Sequence, residues 1–246
     1  DTYALDAPRV VLASGGLSLP KIASDLAYRT ARELGVSVVA PSPALVPLTW
    51  NNADKAEFAE LSGVAVDCEI SSSGQSFREN LLFTHRGLSG PAILQASSYW
   101  HPGEDVNINL LPEHDVLAWL HQMRQDRGKI LLSNALKGLL PNRLVEAVID
   151  RWFDDQTLGD MSAAQCEQVA RQLQAWRFRP GGTEGYRTAE VTLGGLATTE
   201  FSSKSFEAKN YPGLYAIGEA LDVTGWLGGY NFQWAWASGY CCAKQL

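Results

Sequence analysis

The sequence predicts an α/β fold in which a Rossmann-like unit is left near residue 40 and re-entered near residue 190. Three observations predict it. A short apolar run, "RVVLA" at 9–13, is followed by "SGG" and then by residues at helical spacing. The middle of the chain changes to short alternating runs and then to helical periodicity. Near the end, "GLYAIGE" at 213–219 restores the short continuous apolar strand of a sheet covered on both faces.

Each element has its own signal. Leu26, Ala27, Thr30, Ala31 and Leu34 share one helical face, with Ser24 as a candidate N-cap and Gly35 as a candidate C′ residue. "VSVVAP" then reads as a second strand, so residues 9–40 read as a βαβ-like unit with a Gly-rich first turn. From 41 to 111 the runs "GVAVDCEIS", "ENLLFT" and "DVNINLL", separated by turn residues, predict a small antiparallel β-domain. From 113 to 178 "DVLAWLHQM" and "NRLVEAVIDRWF" repeat at helical spacing, Pro141 suits a helix start, and Ser162 with Gln165 forms a capping-box pair. "EVTLGGLATT" at 190–199 returns to strand chemistry, and "GGYNFQWAWASGYCCAKQL" reads as a buried helix.

The 246 residues carry a net charge of -7 and 46% hydrophobic residues, ordinary for a globular chain. An acidic balance argues against a nucleic-acid surface, which usually needs a basic stripe. The expected partner is therefore a small-molecule substrate, with no nucleic acid and no membrane. No run is long and apolar enough to span a bilayer, no leader pattern opens the chain, and a reducing cytoplasm suits the four cysteines, which form no C-x-x-C. No metal site is expected, and His101, His114 and His121 read as surface residues. The neighbours Cys241 and Cys242 read as core packing on the last helix.

The chemistry concentrates in "GEALDVTGWLGGYNFQWAWASGY" at 218–240. A strand ending in Gly218-Glu219, a short loop, then Gly228-Gly229 opening a helix makes a site for an electron-rich group. Glycines let the backbone approach a ligand, and the first helical turn offers unpaired N–H groups and a positive dipole end. A flavin suits these features: Glu219 would accept ribityl hydroxyls, and the N–H groups around Gly229, Tyr230, Asn231 and Phe232 would face the pyrimidine edge. Two further glycine turns beside predicted strands, Ala13-Ser14-Gly15-Gly16 and Gly194-Gly195, strengthen the reading.

"VVLASGGLSLPK", "LLFTHRGLSGPAILQASSYW", "EVTLGGLATTEFSSKSFEAK" and "GLYAIGEALDVTGWLGGYNFQWAWASG" closely resemble the BaiN/RdsA family of NAD(P)/FAD-dependent oxidoreductases, the YhiN-like bacterial flavoproteins. The resemblance implies a Rossmann-like FAD domain in two segments, 1–40 and 193–246. It implies a β-barrel substrate domain at 41–111 and 179–192 and a helical insert at 112–178. The implied activity is hydride transfer between NAD(P)H or an organic substrate and FAD. His85 and Arg86 would lie near the flavin's substrate side, as acid/base and anion-binding candidates, although a plain tight turn with Ser89 capping a helix is the favoured reading for His85 and an even rival for Arg86.

Two departures matter. The family's opening G-x-G-x-x-G, which grips the ADP half of FAD, is absent, so an upstream part of the FAD domain is expected to be missing. "PKIASDLAY" also lacks glycines usual after "GGLS". The alternative reading is therefore a truncated, non-catalytic fragment that cannot retain FAD. A flavoprotein that modifies RNA is set aside on the acidic balance.

Overall fold

The computed structural model describes residues 6–246; residues 1–5, which the resemblance assigns to the first FAD segment, lie outside the described residues. The chain forms two compact units: residues up to Val46 with Gly185–Leu246, and Pro47–Glu184.

The first unit opens with β1 (Val10–Leu12), α1 (Leu26–Glu33) and β2 (Val38–Ala44). α1 buries Ala27, Tyr28 and Ala31. It ends at Gly35, whose φ of 74° places its N–H 3.1 Å from the Arg32 carbonyl. The N-cap is Asp25 rather than Ser24. Ser24 Oγ instead accepts the Leu26 N–H at 3.2 Å.

The second unit runs through β3 (Leu48–Thr49), α2 (Asn52–Phe58), β4 (Ala65–Ser72), β5 (Gln75–Phe83), β6 (Gly87–Ser89), α3 (Pro91–Ser97) and β7 (Val106–Asn109). It continues with α4 (Val116–Arg127), α5 (Leu132–Leu136), α6 (Asn142–Trp152), α7 (Ala163–Gln174), β8 (Trp176–Phe178) and β9 (Gly182–Thr183). Its strands pair antiparallel in the order β8-β7-β4-β5-β6-β3-β9. Alternation fixes the register of β4, which turns Val66, Cys68, Ile70 and Ser72 inward. The expected barrel is not closed by strand pairing among the described residues. The outer strands are short, β9 is paired on β3, and Pro180 between them has no N–H to donate.

Sheet and helices of this unit share one core. Phe58 lies 5.3 Å from Trp176 and 5.5 Å from Trp152, ring centre to ring centre, and Trp50 meets Phe178 edge-on at 5.5 Å. Local signals read correctly here. Ser162 and Gln165 form the full capping box of α7, and Pro141 stands at the entry of α6. α3 departs from expectation: its N-cap is Gly90, at φ 90°, and not Ser89.

The chain re-enters the first unit with β10 (Val191–Leu196), β11 (Leu214–Ala216) and α8 (Tyr230–Ala243). β1 pairs parallel with β11, Val11 opposite Tyr215. β2 pairs antiparallel with β10, with an irregularity between Leu193 and Gly195. The βαβ expectation for 9–40 is thus corrected, because β1 and β2 belong to different two-stranded sheets. Pro41 and Pro43 explain part of this: a strand with two missing donors is confined to an edge or an irregular ladder. The fold is mixed α/β.

α8 also departs from expectation. Ser238 and Cys242 are its buried residues, while Phe232 and Trp236 are each 78% exposed. The unit's core (Leu12, Tyr28, Leu196, Tyr215 and neighbours) takes up only one stripe of a helix that is apolar nearly all round. Cys241 is exposed, which corrects its assignment to the core. Among the described residues no helix is long and apolar enough to cross a membrane.

Candidate functional site

The first unit contains a cavity of about 550 Å³, within the range of small-molecule and cofactor pockets. Its walls come from four places: the turn after β1, Leu45 just past β2, the residues at the start of β10, and the stretch from the end of β11 into α8. Of the sequence-predicted residues, Ala13, Gly15, Gly218, Glu219, Gly228, Gly229, Asn231 and Phe232 line it.

The α8 end follows from its glycines. Gly228 and Gly229 adopt φ of 113° and 88°, left-handed geometry that bends the chain sharply into the helix. Gly229 is the N-cap and, as a glycine, supplies no side-chain cap to the first turn. The Asn231 side chain turns back instead: its Oδ1 accepts the Gly225 N–H at 2.8 Å, and its Nδ2 donates to the Gly225 carbonyl at 3.0 Å. Trp234 Nε1 donates to the Gly218 carbonyl at 3.0 Å, and the Gly218 N–H reaches Ser238 Oγ at 2.9 Å. The 218–231 loop is therefore tied to α8 at both ends. A Cβ added at Gly229 would meet nothing within 4 Å, and one at Gly15 nothing nearer than Glu219 Oε2 at 4.0 Å. Open space beside positive-φ glycines leaves room for a ligand to approach the backbone.

Glu219 has a different set of partners from the expected sugar hydroxyls. Its Oε1 accepts the Thr192 N–H at 2.6 Å and its Oε2 the Gly16 N–H at 3.2 Å. Burial raises its carboxyl above the usual range, and the two N–H groups offset part of that rise. Tyr28 is pushed to about 12, first by burial, then by the charge of Glu219 and by Tyr186. Among the described residues, the Tyr28 and Tyr186 hydroxyls and Ser14 Oγ are buried without a hydrogen-bond partner, a costly arrangement for an O–H.

The other predicted residues lie outside the cavity lining. Gly16 packs on Thr192 and Glu219, where a Cβ would come within 2.7 Å of Thr192 Cβ. Gly194 and Gly195 allow backbone crossings instead: a Cβ would lie 2.6 Å from the Ala40 carbonyl and 2.8 Å from that of Ala220. Tyr230 is exposed and packs beside Gly225 and Gly228. His85 and Arg86 belong to the second unit, on an exposed turn. Thr84 Oγ1 accepts the Arg86 and Gly87 N–H groups, and Arg86 pairs with Glu184 at 3.4 Å. Gly87 is required there, since a Cβ would sit 2.7 Å from Thr49 Cα.

Sequence reasoning missed Leu19, Leu45, Glu190, Val191, Ile217, Leu227 and Ala235 as cavity residues. It also missed Thr192, Tyr28 and Tyr186. Trp226, just ahead of the glycines, did carry a readable signal. Among the described residues no cluster of His, Cys, Asp and Glu could hold a metal ion.

A family model described as the HI0933-like protein barrel and H2TH domain matches residues 42–191. The chain is similar to a ribosomal RNA dihydrouridine synthase of Escherichia coli (strain K12), at 50% identity over 241 residues, covering 97% of this chain and 60% of that protein. The Haemophilus influenzae protein of the same name is 47% identical over 96% of this chain and 60% of its own length. A 3-dehydro-bile acid delta(4,6)-reductase of Clostridium scindens is 30% identical over 99% of this chain and 63% of its own. The chain thus spans about three fifths of the length of these curated relatives.

Two of the relatives are named for acting on ribosomal RNA, which overturns the expectation of no nucleic-acid partner. The error lay in using whole-chain charge: phosphate contacts are local, and a net charge of -7 does not describe how charge is distributed over the surface. By its family match over residues 42–191, the chain belongs to the HI0933-like family.

Proposed function

We propose that this chain forms part of a flavin-dependent reductase that adds two hydrogens across the C5–C6 double bond of uridine in RNA. The observation that carries the reading is the cavity, where a glycine-capped helix end and open-sided glycines meet apolar walls from Leu19, Leu45, Val191, Trp226, Leu227 and Phe232. Those features fit FAD: a flat ring between apolar walls, with its electron-rich edge toward backbone N–H groups. We read the first unit as part of a Rossmann-like FAD domain and the second as its substrate domain.

The relatives' names supply the reaction class. Dihydrouridine formation and a delta(4,6)-reductase both denote reduction of a carbon–carbon double bond. In uracil that bond is conjugated to the C4 carbonyl, so hydride adds at C6 and a proton at C5. Bound FAD, recharged by NAD(P)H, would supply the hydride. The protein's own part is to exclude water with the apolar walls and to set charge at the ring edge through the first turn of α8. Ring stacking by Trp226 and Phe232 would hold the planar groups.

The test is to add FAD to the purified chain, follow flavin absorbance, then supply NAD(P)H and ribosomal RNA lacking dihydrouridine. A two-hydrogen mass gain on a uridine supports the reading; flavin binding with no gain on any RNA sinks the substrate assignment. The exposed Phe232 and Trp236 favour a second reading, in which these 246 residues alone do not retain FAD. A colourless protein that does not respond to added FAD would select it.

A further inference from the structure

We infer that Thr192 is the positioning residue of the cavity, joining the Gly-rich turn after β1 to Glu219 and to the loop ahead of α8; this rests on reading the cavity as the flavin site. Thr192 is buried at the start of β10 and bonds in four directions. Its Oγ1 accepts the Leu17 N–H at 2.8 Å and the Ser18 N–H at 3.2 Å, and lies 3.2 Å from Ser18 Oγ. With both lone pairs of the hydroxyl engaged, its own O–H is left to donate to Ser18. Its backbone N–H goes to Glu219 Oε1 at 2.6 Å, and its carbonyl accepts the Thr224 hydroxyl at 3.2 Å.

Glu219 closes the ring by accepting the Gly16 N–H at 3.2 Å through its other oxygen. Three successive amides, at Gly16, Leu17 and Ser18, are thereby held by two side chains that arrive from far along the chain. Gly16 has no room for a Cβ because these two side chains occupy it, at 2.7 Å for Thr192 Cβ and 2.9 Å for Glu219 Cδ. The preceding residues, Ala13 and Gly15, form cavity wall. Fixing 16–18 therefore fixes the wall, and Glu219 acts as a brace within it more than as a hand for the ligand.

Valine matches threonine in shape and lacks the hydroxyl, so Thr192→Val leaves the Leu17 and Ser18 N–H groups without their acceptor. Thr192→Ser keeps the oxygen. The experiment measures amide hydrogen exchange in the flavin-free chain and FAD affinity by fluorescence quenching, for the parent and both variants. In Thr192→Val, exchange at Leu17 and Ser18 is expected to accelerate about tenfold or more, with FAD affinity weakened by about tenfold. Thr192→Ser is expected to restore both, which a merely space-filling role would not require. Unchanged exchange at 17 and 18 in Thr192→Val, or a serine variant as impaired as the valine one, overturns the inference. A parent chain that binds no FAD overturns the cofactor reading instead, and the exchange data still decide whether Thr192 positions the turn.

Discussion

The two units treat the same residue types in opposite ways. In the second, Trp176 is buried in a cluster with Phe58, Trp152 and Phe178. In the first, Trp236 and Phe232 lie on α8 with most of their surface uncovered, and three buried hydroxyls lack partners among the described residues. The second unit carries one such hydroxyl, Ser72 Oγ, and covers its aromatic rings, whereas the first leaves large apolar surface on α8 uncovered beside its cavity. A ligand-binding region needs such incompleteness, because a site that is fully satisfied internally has nothing left to offer.

The sharpest way to break this comparison is a matched pair of tryptophan deletions. Trp176→Ala should cost about 3–5 kcal/mol of stability by the usual cost of emptying an aromatic core position. Trp236→Ala should stay within about 0.5 kcal/mol, as for exposed positions. Chemical denaturation of both variants checks this, and similar losses would show that α8 is covered in solution.

A smaller effect is expected at Gly16→Ala, where the added methyl is forced against Thr192 and Glu219. Overpacking of this kind costs about 1–3 kcal/mol. Loss of FAD affinity in a chain whose second unit melts normally is the expected outcome. Asn231→Ala removes both bonds to Gly225 and should cost about 1–2 kcal/mol. Faster exchange at the Gly225 amide, which loses its acceptor, is the local signature; an unchanged rate would remove Asn231 as the loop's fastener.

The mildest test is one of pH. Burial holds the Glu219 carboxyl above its usual range in the folded state. A carboxyl raised on folding contributes stability that is full below its unfolded pKa and is lost as pH rises through the folded value. The difference in melting temperature between the parent and Glu219→Gln should therefore move against the parent from acid toward neutral pH. Movement in the opposite direction would mean that the Thr192 and Gly16 N–H groups outweigh the burial.

What was legible in the sequence was what is local. The capping box of α7, Gly35 at the end of α1 and the glycine bend before α8 each depend on neighbours within a few positions. Pairing was not legible. β2 looked like the partner of β1, and the choice of β10 depends on residues some 150 positions away. The cavity showed a similar split. Its glycines stood out, but the Glu219–Gly16 bond spans 203 residues and Thr192 carries no motif of its own. α8 misled for a different reason: apolar composition predicts burial only when something lies against every face.

That uncovered helix also gives the molecule an internal gauge. An indole in water emits at longer wavelength than one sealed among other rings, so Trp236 should contribute a red shoulder that Trp50 and Trp176 do not. Anything settling against α8 would shift that shoulder toward the blue, making intrinsic fluorescence an unlabelled readout of when this surface is occupied.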